Sequence, residues 1–339
     1  MMKALGDLDG DGDLDLVVCA RAAPGALVWY ENPSWQRRTI STATGGPNTS
    51  VDVTTGDVDG NGSPDILLAN GVWFANPEPS GNAKLDPWVR RQIDATIGHD
   101  AILGDLDGDG DLDLVKRDQF YNGDVIRVFR QNAGGTWTER TIPTSTGEGL
   151  ALGDLNRDGD LDIVIGGTWF EGNGNPISGP WTPHVYSTTY THRHVIVAVG
   201  NVGGDSDLDI VLAPSEISGG TYRLSWFEAG ANPEALWTEH TLRASVETVV
   251  HGLVLADFNS DGLTDIAYAE QHVGSNPNPV ALLLRTATGF ATTTLSSAGS
   301  HNIAAGDLNG DGLLDLFGAN WRESDAPDGA AIKLWYQLP

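Results

Sequence analysis

A single cysteine, Cys19, stands in a chain of 339 residues. No internal disulfide can staple such a chain, and the thiol reads as a small hydrophobe buried in a strand. Basic residues are also scarce: 19 lysines and arginines face 46 aspartates and glutamates, for a formal net charge of −27. Phosphate binding needs clustered Lys and Arg, so nucleic acid is excluded as a natural partner. No apolar run is long enough for a membrane-spanning helix, and no sustained helical period occurs anywhere. The core must come from short strands joined by turns.

What the chain has in abundance is an acidic signature, beginning with GDLDGDGDLDL at Gly6–Leu16 and occurring seven times at intervals of 47 to 56 residues. The copies start at Asp7, Asp57, Asp105, Asp154, Asn201, Asp257 and Asp307. Oxygen donors fall at positions 1, 3, 5 and 9 of every copy but the fifth, with glycine at position 6 in six of the seven. That alternation lets several hard oxygens converge on one cation while glycine permits the sharp turn, and calcium is the natural occupant. The ligand sets are Asp7, Asp9, Asp11 and Asp15; Asp57, Asp59, Asn61 and Asp65; Asp105, Asp107, Asp109 and Asp113; Asp154, Asn156, Asp158 and Asp162; Asp257, Asn259, Asp261 and Asp265; and Asp307, Asn309, Asp311 and Asp315. In the fifth copy Asn201 and Gly203 replace the first two donors, so a weak or empty site is expected there. An EF-hand is excluded, because position 12 is Val18, Leu68 or Lys116 in the first three copies, where that loop needs a bidentate Glu.

Between loops, every repeat reads alike. A strand ending in Gly-Asp enters the loop; an apolar, β-branched run follows (LDLVVCA, PDILLAN, LDIVIGG); a third strand carries an aromatic pair (LVWYEN, GVWFAN, GTWFEG, LSWFEA, KLWYQ); a fourth reads WQRRTI, WVRRQI, WTERTI, WTPHVY or WTEHTL. Four short strands per unit of about 49 residues predict propeller blades. The expected fold is all-β: a seven-bladed β-propeller of four-stranded antiparallel blades, one domain over residues 1–339, with repeats starting near residues 3, 51, 99, 148, 195, 251 and 301. GDLDGDGDLDLVV followed by WYEN resembles the FG-GAP or VCBS calcium propellers found in integrin alpha-subunit heads and in a fungal N-acetylglucosamine-binding lectin. The resemblance implies that the acidic loops join innermost strand A to strand B on the face opposite the ligand site, making calcium structural. It leaves function open, since the scaffold serves adhesion, sugar binding and lyase or dehydratase chemistry.

Two features qualify the expected ring: strand A of the first blade looks short, and the seventh blade has no obvious fourth strand. The acidity is mostly a metal requirement, because 26 of the 46 acidic residues lie in the seven loops. Six calcium ions would bring the net charge to about −15. Millimolar calcium is an extracellular condition, so an extracellular or periplasmic setting is expected, although no signal peptide is legible.

The eleven tryptophans fall mostly into two registers, Trp29, Trp73, Trp169, Trp226 and Trp335 in strand C, and Trp35, Trp88, Trp137, Trp181 and Trp237 opening strand D. Such regularity points to blade packing rather than sugar stacking, Trp321 being the exception. A histidine register is more informative. Six residues before the first loop donor stand His99, Glu148, His251 and His301, with His194 one step out. Six strand residues span about 20 Å, which places these side chains at the opposite mouth, near the axis. Loops after strand B add Arg21, Asn70, Lys116, Arg117, Asp118, Gln119, Tyr121, Glu216, Glu270, Gln271, His272, Asn320, Trp321 and Arg322, and the loop before blade five adds Tyr190, His192 and Arg193. This is the composition of a polar-ligand funnel, and histidine is also the commonest transition-metal ligand, so the funnel is a candidate site for such an ion. The bland alternative is that several of these residues cap strand ends.

Three functions remain open at this level. One is a carbohydrate-binding module with a single central site, since the top loops do not repeat as a multivalent lectin requires. Another is a carbohydrate lyase or dehydratase working by β-elimination, with His99, His194, His251 or His301 as base or metal ligand, Tyr190 or Tyr121 as acid, and Arg117, Arg193 or Arg322 clamping the anion. The third is a protein-interaction platform.

Overall fold

The computed structural model describes residues 2–19, 26–42, 52–96, 98–118, 125–145, 147–275, 277–320 and 332–337. Seven antiparallel meanders follow one another, each in the order A, B, C, D. Six have four strands; the seventh has three among the described residues, Asn302–Gly306, Asp315–Ala319 and Ile332–Trp335. The A strands touch their neighbours in sequence order, and that of blade seven returns to that of blade one, so the array is a seven-bladed propeller with strand A innermost. No helix among the described residues is long and apolar enough to cross a membrane.

Burial explains the sequence pattern strand by strand. Every B strand opens on position 9 of its acidic loop, as in Asp15–Cys19, Asp65–Leu68 and Asp162–Ile165, and is buried on both faces. That is why these runs are continuously apolar rather than alternating. Strand D is the wet rim, exposed throughout at Val89–Gln92. Its basic and imidazole side chains lie across the strand C tryptophans: Arg91 sits 5.0 Å above Trp73, His184 stacks on Trp169 at 4.4 Å and His240 on Trp226 at 4.2 Å. These pairs face each other in the C–D ladders, so WVRR, WTPH and WTEH record cross-strand stacking and not a sugar platform.

Blade packs on blade through the residue ending strand A. A side chain on Gly56 would meet Leu112 and Leu103 of blade three at 2.9 and 3.0 Å, and one on Gly306 would meet Leu14 and Leu5 of blade one at 2.6 and 3.0 Å. At these seams the glycine of the Gly-Asp step leaves room for the leucines of the neighbouring blade, whereas blade six carries Ala256 there. The same contacts show how the ring closes. Asn76 Nδ2 donates to Leu8 O of the preceding blade at 2.8 Å, and Asn32 Nδ2 donates to Leu308 O of blade seven at 3.0 Å. Lys3, itself buried, adds a partly buried bond to Asn302 O at 2.7 Å. Blade one thus meets blade seven as blade two meets blade one. Strand A of blade one, Met2–Gly6, is as long as its counterparts in blades three and seven, contrary to its short look in the sequence.

Candidate functional site

The acidic loops lie where strand A turns into strand B. In each, the first donor folds the loop by accepting its amides: Asp7 takes Asp11 N at 3.1 Å and Gly12 N at 3.0 Å, and Asp57 takes Asn61 N at 2.9 Å and Gly62 N at 2.8 Å. Gly12, at φ 96°, occupies the left-handed turn that position 6 demands. Position 9 is fully buried and holds the blade together. Asp65 accepts Val58 N at 2.8 Å on one oxygen and Asn76 N, from the end of strand C, at 2.7 Å on the other. Burial pushes Asp15, Asp65 and Asp162 up to about 7, against the pull of these amides.

The donor oxygens of Asp7, Asp9 and Asp15, of Asp57, Asp59 and Asp65, and of Asp105, Asp107 and Asp113 lie within 4.8 Å of one another. These triads resemble calcium sites. Asp107 Oδ1 is buried without a donor, and cationic side chains crowd the loops, Lys84 Nζ lying 2.6 Å from Asp9. Hard oxygens with an unfilled acceptor suit a calcium ion, which would neutralise the crowded carboxylates and pin the A–B hairpin. Blades four, six and seven offer a neutral amide at position 3, Asn156, Asn259 and Asn309. The fifth loop differs in kind. Ser206 occupies the glycine position at φ 79°, and Arg285 of blade six donates to Gly203 O at 2.6 Å, so a guanidinium stands at the one loop with no side-chain oxygen at position 3 and a neutral amide at position 1. Asp209 still accepts Gly203 N and Ala229 N there, which shows that position 9 has a structural task separate from any ion.

At the other end of the A strands, the histidine register converges. His99 Nε2 lies 3.5 Å from Glu148 Oε2, and its Nδ1 lies 3.0 Å from Asp100 Oδ1. His251 Nε2 bonds Glu216 Oε1. Ring centroids separate His99 from His251 by 6.1 Å and His251 from His301 by 4.5 Å. Blades three to seven contribute His99, Glu148, Glu216, His251 and His301 in turn, and of these five all but Glu216 are at least nine-tenths buried. Burial opposes charge on His99, but the Glu148 and Asp100 carboxylates outweigh it and push the imidazole up to about 10. Glu148 is raised by burial among Glu216 and Asp100, so it too holds its proton more tightly than an exposed glutamate. His301, buried beside His251, is held well below the usual histidine range. The members of the cluster are thus pushed apart in proton affinity, His99 and Glu148 upward and His301 downward.

Other expected residues have other tasks. Arg117 gives its guanidinium to the carbonyls of Glu148 and Gly149, both at 3.0 Å, and of Ser145 at 2.9 Å, bracing the segment that carries Glu148. Tyr190 is packed in the core of blades four and five, its hydroxyl donating to Arg223 O at 2.9 Å, and is not brought to the cluster. Lys116 is buried against Asp94 at 2.7 Å. His194 is lowered by burial and by exposed Arg193 beside it, and its carbonyl accepts Ser215 N at 2.9 Å, bracing the turn that presents Glu216. Arg21, Gln119, Tyr121, Trp321 and Arg322 lie outside the described residues.

The sequence reading missed Asp100 and Asp52. Their signal was one step along from the histidine register, five residues before the first loop donor. Asp100 Oδ2 accepts Gly149 N of the next blade at 2.9 Å, and Asp52 Oδ2 accepts Ala101 N at 3.4 Å. Glu270, expected in the funnel, instead lines a cleft of about 850 Å³ between blades five and six, with Tyr268, Arg243 and Glu247.

No curated protein matches the chain. Residues 7–68, 105–165 and 257–318, more than half of its length, match the FG-GAP-like repeat, and the chain belongs to that family of propellers.

Proposed function

We propose that this propeller binds a carbohydrate in the axial funnel and acts on it at the His99, Glu148, Glu216, His251 and His301 cluster, with six calcium ions holding the opposite face in an extracellular or periplasmic setting. The observation that carries the reading is the convergence of five titratable side chains from five blades, four of them at least nine-tenths buried. A packing role would not need five such groups, each costly to bury. The residues around the cluster differ from blade to blade, which suits one saccharide at one centre better than repeated shallow pockets.

The chemistry this set favours is β-elimination. Abstraction of a carbon-bound proton next to a carboxylate or carbonyl needs a base whose free form survives at neutral pH, a role His301 fits because burial keeps it neutral. A protonated neighbour such as His99 would then donate to the leaving oxygen. Acidic and neutral oligosaccharides should be tested by calorimetry and by the absorbance of an unsaturated product. Binding by one class with rising absorbance, both abolished in His301→Ala, is expected. Heat without absorbance reduces the reading to a binding module, and silence across the panel overturns it.

A further inference from the structure

The axial cluster has a feature that proton transfer alone does not require. The ligand atoms of His99, Glu148 and Glu216 lie within 4.8 Å of one another, and the Glu216 carboxylate also bonds His251 Nε2. We propose that His99, Glu148, Glu216 and His251 form a binding site for one transition-metal dication of the zinc type, distinct from the calcium loops at the other end of the strands. The proposal concerns the same cluster as the reading above, yet it needs no saccharide.

Three observations support it. The first is donor chemistry: two imidazoles and two carboxylates suit zinc and its neighbours, whereas the loops offer only oxygens and suit calcium. The second is orientation. Asp100 sits against His99 Nδ1 at 3.0 Å and is itself pinned by Gly149 N at 2.9 Å. With a metal ion bound in place of the second ring proton, that arrangement would keep a proton on Nδ1 and leave Nε2, 3.5 Å from Glu148 Oε2, free to face the ion, as a carboxylate does behind a metal-bound histidine. The third is backbone conformation. Glu216 is a non-glycine residue at φ 68°, in a turn where Ser215 N bonds His194 O at 2.9 Å and Ile217 N bonds Thr248 O at 2.7 Å. Left-handed backbone at a long side chain costs energy, and here it carries a carboxylate inward to the cluster.

The test titrates zinc chloride into the calcium-saturated protein without saccharide, by calorimetry and by metal analysis after dialysis. One zinc per chain is expected. Glu216→Gln and His99→Ala should each weaken it at least tenfold, and Asp100→Asn, acting through His99, by about tenfold. His184→Ala, which removes a ring stacked on Trp169 far from the cluster, should leave it unchanged. Glu216→Gln preserves shape, and an unchanged calcium-dependent melting transition certifies its fold. Absence of a stoichiometric zinc, or zinc binding indifferent to both Glu216→Gln and His99→Ala, overturns the proposal. A zinc site in a protein inert to every sugar leaves it standing while removing the carbohydrate reading.

Discussion

Replacing the buried aspartate at position 9 by asparagine in two different loops separates the work of the ion from the work of the hydrogen bonds. Asp65 accepts Val58 N at 2.8 Å, Asp59 N at 3.2 Å and Asn76 N at 2.7 Å. The Asp65→Asn change would keep the volume but turn an NH2 group toward at least one of these donors, and one orphaned buried donor costs about 1–3 kcal/mol. The loop also loses a charged ligand. A calcium site filled at a hundred times its Kd stabilises the fold by about 2.7 kcal/mol, so Asp65→Asn should lose about 4–6 kcal/mol in calcium. Asp209 makes the same kind of bonds, to Gly203 N at 2.5 Å and Ala229 N at 3.2 Å, in the loop with no side-chain oxygen at position 3. Asp209→Asn should therefore lose only about 1–3 kcal/mol, with or without calcium. Urea unfolding of both variants and the parent, in calcium and in chelator, is the assay. The gap between the variants should close when calcium is removed. Equal losses in calcium, with no effect of chelator on either, would refute the assignment of ions to the intact loops.

Further expectations follow from packing and burial. Trp169 is fully buried and stacked on His184, so Trp169→Ala should cost about 3–5 kcal/mol in denaturant unfolding while leaving saccharide affinity intact; lost affinity in a folded variant would make the tryptophans ligand contacts after all. Gly306→Ala, with its Cβ 2.6 Å from Leu14, should destabilise by about 1–3 kcal/mol, comparable to Gly56→Ala in an interior seam; a neutral Gly306→Ala would mean that the Leu14 and Leu5 side chains give way without cost and that the seam is loosely packed. Burial raises Glu270 from its ordinary 4.5 to about 7, so the folded state holds a proton there that the unfolded state releases. Its contribution to stability is present below pH 4.5 and is lost as pH rises through about 7. Glu270→Gln, whose carbonyl can still accept Glu247 N, should flatten that slope in unfolding curves taken across the range, and an unchanged slope contradicts the burial argument.

The blades were legible because two periodicities coincide in the chain: the donor spacing of the loops and the aromatic pair of strand C. The Gly-Asp step, the leucine before position 9 and the asparagine ending WYEN and WFAN were visible as letters but not as seams, since their meaning lies in the neighbouring blade. Asn32 and Asn76 bond carbonyls of a different repeat, which a reading within one repeat does not reach. The histidine register was readable because all its members stand at the start of strand A, where a fixed count from the loop fixes the depth. Asp100 escaped because adjacent residues of a strand are expected to face opposite ways, whereas Asp100, the first residue of its strand, reaches back to the ring of His99 just before it. Arg117 and Tyr190 looked like site residues by type, but burial turned both toward backbone carbonyls, the ordinary fate of a polar group in a core.

The central claim is that the acidic repeats cage cations on one face of a closed ring. Anomalous difference density from crystals grown in calcium tests it most directly. Six peaks are predicted, in the loops beginning at Asp7, Asp57, Asp105, Asp154, Asp257 and Asp307, with none at the Asn201 loop beside Arg285. Density at the Asn201 loop, or empty loops in the other six, would contradict the account.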